Sequence, residues 1–230
     1  MSEIYEYCYK IYRNLVHKLS NLATQLEKSK IISTKEKNIH KPCIIIGPSA
    51  VGKEAMINKL KNKYPKKIYK LPSYTTRPIR AKERDGIDYF FVTDEEFDKM
   101  EKEGKLFGIL KYNNNKYASN KNKLEEALKN KNKIIILNYN IKTLNEIKDE
   151  IDFNSIAILP PSEYELRNRL IKRNAKDEEI EERMKNSIKE IQLINEANYI
   201  KYRVVNDDEE RAFNKLDKNL KEIYPQLLEL

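Results

Sequence analysis

The residues Gly47-Pro48-Ser49-Ala50-Val51-Gly52-Lys53 follow the apolar run Cys43-Ile44-Ile45-Ile46. A buried strand, a glycine-bounded turn and a lysine opening a helix make a phosphate-binding loop. Backbone N–H groups in such a turn point at phosphate oxygens, the helix N-terminus adds positive potential, and the lysine reaches the outer phosphates. The next position usually carries Ser or Thr to hold Mg²⁺; here it is Glu54. A second constellation runs Ser73-Tyr74-Thr75-Thr76-Arg77-Pro78-Ile79-Arg80, then Glu83, then Asp85-Gly86-Ile87-Asp88-Tyr89. Two arginines three residues apart on a Pro-containing loop can converge on one phosphate through bidentate, charge-assisted bonds, with a tyrosine hydroxyl completing the grip. Taken alone, the same stretch also reads as a solvated basic loop.

The elements that must position these residues alternate from Pro42 onward. After the first strand and loop come a helix over Glu54–Lys63 and a strand over Ile68–Leu71. Residues 72–120 break the rhythm: a loop over Pro72–Asp85, a strand over Tyr89–Val92, a helix capped by Thr93-Asp94, and strand-like pieces from Leu106 to Tyr117. This reads as an inserted subdomain. A helix from Lys121 to about Asn130 and a buried strand over Ile134–Leu137 restore the alternation. They are followed by strand Ile156–Leu159, a helix with Ser162 as N-cap and a charged helical segment over Lys176–Lys189. A strand near Arg203–Val205 and a helix over Glu209–Ile223 complete the series. Strands separated by helices predict an α/β fold, a mostly parallel sheet wrapped by helices.

Residues 1–40 are different. Tyr5, Cys8, Tyr12, Leu15, Leu19, Leu22 and Leu26 recur at three- and four-residue steps, one apolar seam on a helix, and Ser33–Lys41 reads as a linker. The seam suits either a homodimer through a short coiled coil or a helix packed on the chain's own domain.

Composition narrows the classes further. The 230 residues fit one α/β domain with an extension, or two small domains. The formal charge is +9, but the lysines are spread among Glu, Asp and Asn, which argues for solvated faces over a nucleic-acid tract. No apolar run is long enough to cross a bilayer, so no membrane partner is expected. Cys8 and Cys43 match no metal or redox spacing, and the two histidines lie in no motif. A reducing, cytoplasmic setting is the simplest reading.

From about Cys43 to the C-terminus the chain resembles the guanylate kinase family. The resemblance rests on Gly-Pro-Ser-x-x-Gly-Lys, Ser-x-Thr-Thr-Arg-x-x-Arg, Asp-Gly-x-Asp-Tyr, Pro160-Pro161-Ser162, Arg169-Leu170 with Arg173, Arg183, and Val205-Asn206-Asp207-Asp208, in this order. It implies a P-loop fold with a nucleoside-monophosphate subdomain (about 72–120), a lid (about 174–194), and transfer of the γ-phosphoryl group of ATP to GMP with Mg²⁺. Gly47 through Glu54 and Asn206 would surround ATP. Arg77, Arg80, Tyr89 and Tyr117 would grip the acceptor's phosphate, with Ser73, Ser119 and Asn138 around its base side. Lys53, Arg169, Arg173 and Arg183 would surround the transferring group, and Glu54 is the candidate Mg²⁺ ligand.

Five positions depart from the family pattern. Ala50 replaces the middle glycine of the loop, and Glu54 replaces a hydroxyl or small residue. Gly108 stands where a glutamate reads guanine, and Asn138 and Asn140 stand where aspartates do. A glutamate restored at Gly108 would be expected to lower the KM for GMP. The retained phosphate cage argues for a working kinase. The lost carboxylates leave open a second reading, a binding module that takes a phosphorylated ligand or peptide through the same arginines and tyrosines.

Overall fold

A computed structural model describes residues 41–81, 83–112, 114–172 and 177–228. The apolar seam from Tyr5 to Leu26, and any pairing through it, lies outside the described residues, as does Arg173.

The chain builds two sheets. The larger is wholly parallel and contains β1 (Cys43–Ile46), β2 (Ile68–Lys70), β7 (Ile134–Tyr139), β8 (Asn154–Leu159) and β9 (Tyr202–Val205), in the order β2-β7-β1-β8-β9. Strands buried on both faces read as unbroken apolar runs, and all of Cys43, Ile44, Ile45 and Ile46 are fully buried. Burial also pushes the Cys43 thiol up to about 12, so it is an inert core group.

Alternation along each strand divides the core. On one face Cys43, Ile45, Ile68, Ile134, Ile136 and Ile156 pack against α1 (Lys53–Lys63) and α7 (Glu209–Ile223). On the other, Ile44, Ile46, Ile135, Leu137 and Tyr139 pack with residues of α3 (Lys121–Lys129), α4 (Ile141–Ile147) and α6 (Asp177–Glu196). Because β2 and β7 are in register at Lys70↔Ile136, Lys70 shares the α1 face with Ile136, and so does Asn138 two residues further on.

The smaller sheet has the order β4-β3-β6-β5, from β3 (Ser73–Thr75), β4 (Tyr89–Phe91), β5 (Leu106–Tyr112) and β6 (Asn115–Asn120). Its own small core is Phe97, Leu106 and Ala118 with Tyr74, Val92, Met100 and Ile109 around them. Phe97 comes from α2 (Asp94–Lys102), whose start is a capping box. The Thr93 hydroxyl accepts from the Glu96 N–H, and the Glu96 carboxylate accepts from the Thr93 N–H.

Several elements differ from the sequence expectation. Ser73–Thr75, expected inside a loop, is a strand that pairs with β4 on one side and β6 on the other. Three residues are too few for a period-2 signal, and the ladder partners lie far along the chain. The helix α4 was not foreseen; its seven residues hide Ile141, Thr143, Leu144 and Ile147 beneath an Asn140 cap. β7 extends past Leu137 to Tyr139, and α6 continues to Glu196. Between β8 and α6, α5 (Glu163–Ile171) begins at the expected cap, the Ser162 hydroxyl accepting from the Glu165 N–H.

Candidate active site

In a parallel sheet the ligand crevice lies beyond the carboxyl ends of the strands. Here that edge carries the loop after β1, Lys70 closing β2, Asn138–Asn140 closing β7, and Asn206 just after β9.

The loop is built around two close approaches. A Cβ on Gly47 would stand 2.2 Å from the Ile158 carbonyl oxygen, and one on Gly52 would stand 2.6 Å from the Asn206 amide nitrogen. Ala50 has φ 61°, so the position does require the left-handed region. Its methyl is buried with Leu166, Leu170, Ile180 and Met184, which ties the loop to α5 and α6. The Lys53 ammonium donates to the carbonyls of Gly47 (2.5 Å) and Pro48 (3.0 Å), and so lies across its own loop.

Glu54, in the first turn of α1, faces two residues that parity puts on its side of the sheet. Its Oε1 accepts from Lys70 Nζ at 2.7 Å and from Asn138 Nδ2 at 3.0 Å. The Asn140 side chain is engaged elsewhere: its oxygen caps α4 by accepting from the Thr143 N–H at 2.8 Å.

Across the cleft stands the smaller sheet. Tyr89 and Tyr117 meet edge to face with centroids 6.2 Å apart, and the Arg77 guanidinium lies 5.4 Å from the Tyr89 ring centre. Glu83 holds Arg77 through Oε1 (2.8 Å) and Oε2 (3.0 Å), and Oε2 also accepts from the Arg80 N–H. The Arg77 hydrogen bond, with the Arg80 N–H adding to it, holds the Glu83 carboxyl below its ordinary value. Burial, with the Glu54 carboxylate adding to it, pushes the Tyr89 hydroxyl up to about 12, so it remains a proton-bearing donor at neutral pH. The Arg80 side chain is exposed.

The remaining expected residues divide into cleft and support. Arg183 on α6 reaches Ser49 Oγ at 3.4 Å and Glu179 at 2.5 Å. Arg169 instead braces the back of the loop, donating to the Asn206 carbonyl (2.8 Å) and to Glu165 (3.0 Å). Asn206 was expected among the residues around ATP; its side chain is buried and its amide nitrogen donates to the Val51 carbonyl at 2.8 Å. That nitrogen is committed to holding the loop. Ser119, expected to face the acceptor base, is fully buried and accepts from the Tyr139 hydroxyl at 2.5 Å.

One cleft of about 330 Å³ joins the two sides, a volume at the lower end for small-molecule sites. Its walls include Gly47, Ser49, Lys53, Glu54, Ser73, Tyr89, Tyr117, Asn138 and Arg183 among the expected residues. Lys70, Gly108, Tyr139, Thr143, Ser187 and Glu190 line it as well. Lys70, Tyr139 and Glu190 were missed in the sequence; the only signal at Lys70 was a lysine on the inward parity of a short apolar strand. Burial raises the Glu190 carboxyl above its ordinary value, and Lys53 and Lys142 pull it the other way.

Gly108 is a correction to a sequence expectation. It sits at φ 60° beside an irregularity in the β5–β6 ladder between Phe107 and Leu110. A Cβ there would lie 2.9 Å from Thr143 Cγ2 and 3.6 Å from the Tyr139 ring. A glutamate cannot simply be returned to this position.

For Mg²⁺ the donor chemistry fits. The Glu54 carboxylate lines the cleft beside Lys53 and offers hard oxygen, and Mg²⁺ in kinases typically takes one or two protein carboxylates with phosphate and water completing its shell. Among the described residues no group of three His, Cys, Asp or Glu could hold a metal unaided. Among the same residues, no helix is long and apolar enough to cross a membrane.

A family model described as guanylate kinase matches residues 39–223. The guanylate kinase of Malacoplasma penetrans (strain HF-2) is 37% identical over 186 residues, 79% of this chain and 93% of that protein. That of Schizosaccharomyces pombe is 34% identical over 179 residues, 77% of this chain and 88% of its own length. A crystal structure of guanylate kinase from Anaplasma phagocytophilum matches with a TM-score of 0.61 at 24% identity, covering 80% of this chain and 86% of that one; it shares the fold. With a cleft that joins a phosphate loop to a second, tyrosine-lined wall, and with a family model spanning most of its length, this chain belongs to the guanylate kinase family.

Proposed function

We propose that this protein transfers the γ-phosphoryl group of ATP to the phosphate of GMP, giving ADP and GDP. The observation that carries this reading is the single cleft in which Lys53, Ser49 and Arg183 stand on one wall and Tyr89, Tyr117 and Ser73 on the other. Two phosphorylated ligands brought together there need positioning and positive charge rather than covalent catalysis.

In this reading residues 72–120 receive the monophosphate and residues 174–194 act as the lid. Lys53 and the loop backbone from Gly47 to Gly52 hold the donor phosphates, and Arg183 reaches over them from α6. Arg77, set in place by Glu83, works with Tyr89 and Tyr117 on the acceptor's phosphate, and Arg80 joins them from the exposed loop. Arg169 and Asn206 keep the loop in shape from behind. Glu54, with Asn138 beside it, would hold Mg²⁺, which supplies charge neutralisation at the donor phosphates. A soluble nucleotide reaction, together with a buried free thiol at Cys43, favours the cytoplasm.

A coupled assay with Mg-ATP and GMP, AMP, UMP or CMP tests this. ADP and GDP should form with GMP, and Lys53→Ala should lower the rate by at least about a hundredfold, the scale on which loss of one preorganised charge acts. Folded protein that turns over none of these acceptors would sink the proposal. Binding of GMP without turnover would identify a binding module.

A further inference from the structure

We propose that Lys70 is a catalytic residue of this enzyme: its ammonium, held between the Glu54 carboxylate and the Tyr89 ring, contacts the acceptor's phosphate and remains with it during transfer. This deepens the kinase reading and rests on it.

The placement follows from the fold. Lys70 is the last residue of β2, at the carboxyl edge of the parallel sheet where ligands bind. The register with β7 turns it to the α1 face, where Glu54 stands. Its Nζ lies 2.7 Å from Glu54 Oε1 on the donor side of the cleft and 5.5 Å from the centre of the Tyr89 ring on the acceptor side. The side chain is only 10% exposed, against 47% for Glu54. Lys70 thus touches a residue on each wall, at the junction between the donor and acceptor sides.

The chemistry calls for a cation at that point. A phosphate oxygen of the acceptor attacks the γ-phosphorus, the bond from that phosphorus to the β-phosphate oxygen breaks, and ADP leaves with the electron pair. Both reactants are anions, so positive charge between them lowers their repulsion and steadies the charge on the transferring group. Glu54 adds a further negative charge next to the loop, in a position usually occupied by a hydroxyl. Lys70 offsets that charge and also presents one directed toward the acceptor. The contact with Tyr89, whose ring also stacks near Arg77, keeps the ammonium turned to the side where the acceptor's phosphate is gripped.

The alternative is an ion pair that only ties β2 to α1. The two roles separate in one set of measurements on full-length protein. Calorimetry with GMP and with guanosine, which has the same base and sugar without the phosphate, is compared for wild type, Lys70→Met, Lys70→Arg and the double variant Glu54→Gln/Lys70→Met. Steady-state kcat is measured alongside, and melting curves confirm folding. If Lys70 contacts phosphate, Lys70→Met binds GMP about tenfold more weakly and guanosine as wild type does. Its kcat at saturating substrates falls about a hundredfold, Lys70→Arg recovers most of both, and the double variant does not recover GMP binding. Equal weakening toward GMP and guanosine, unchanged GMP binding, or recovery of GMP binding in the double variant would overturn the proposal. The GMP–guanosine contrast needs no turnover, so it judges Lys70 separately from wild-type activity, which judges the kinase reading.

Discussion

Ala50 shows how a single residue reconciles a local rule with its surroundings. A left-handed φ of 61° costs an L-residue roughly 1–2 kcal/mol, and burying one methyl group returns about 0.8 kcal/mol. The methyl does lie in an apolar cluster with Leu166, Leu170, Ile180 and Met184, so its burial offsets part of the strain. Gly108 has no such compensation available. At φ 60°, with Thr143 Cγ2 2.9 Å from any Cβ, Gly108→Glu combines backbone strain with overpacking. It should destabilise the protein by about 2–4 kcal/mol in urea unfolding and leave the KM for GMP no lower. A variant as stable as wild type with a reduced KM would contradict this. The phosphate loop was legible in the sequence because its chemistry is carried by neighbouring residues. Lys70 was not, because its meaning depends on Glu54 from α1 and Tyr89 from another sheet.

Among the elements, α1 and α7 are locked by one buried carboxylate. Asp217, on the inward face of α7, accepts from the Tyr64 hydroxyl at 2.5 Å, from Lys63 at 3.0 Å and from Lys221 at 3.1 Å. Burial pushes its carboxyl up, but the Tyr64, Lys63 and Lys221 bonds together outweigh that and leave it below the ordinary value of 3.8. A lowered folded value means that the unfolded chain takes up the proton first as pH falls. The stabilisation is therefore complete well above pH 3.8 and disappears below the folded value. Asp217→Asn should cost about 1–3 kcal/mol at pH 7 in denaturant unfolding, with the gap to wild type closing as the pH drops below about 4. A gap that stays constant into acid would show that the charge contributes nothing. Long, strongly patterned elements such as α7 were readable, its bounds matching the expected Glu209–Ile223. The helix α4 and the strand β3 were not, since seven and three residues carry too little periodicity.

For residues 41–228 taken together, the cleft is where the carboxyl edge of the parallel sheet meets the smaller sheet, and ligand binding should register as global stability. At a GMP concentration about a hundred times its Kd, linkage adds about 2.7 kcal/mol, which for a domain of this size raises Tm by roughly 5–10 °C. Scanning calorimetry should show that rise with GMP and a smaller one with guanosine at equal concentration, because guanosine lacks the phosphate that the proposed reading assigns to Tyr89, Tyr117 and Arg77. No shift with GMP would mean that the protein does not bind it. The order of motifs along the chain, read by itself, determined the fold class, the family and the phosphate loop, since each rests on short runs whose chemistry is local. Tertiary structure alone decided which of those residues line the cleft and which brace it: Asn206 and Arg169 turn to the back of the loop. Glu54, Lys70 and Asn138 meet because strand register places residues 70 and 138 on the α1 face. Register and crossover packing join residues distant in sequence, and the pattern within any one segment does not specify them.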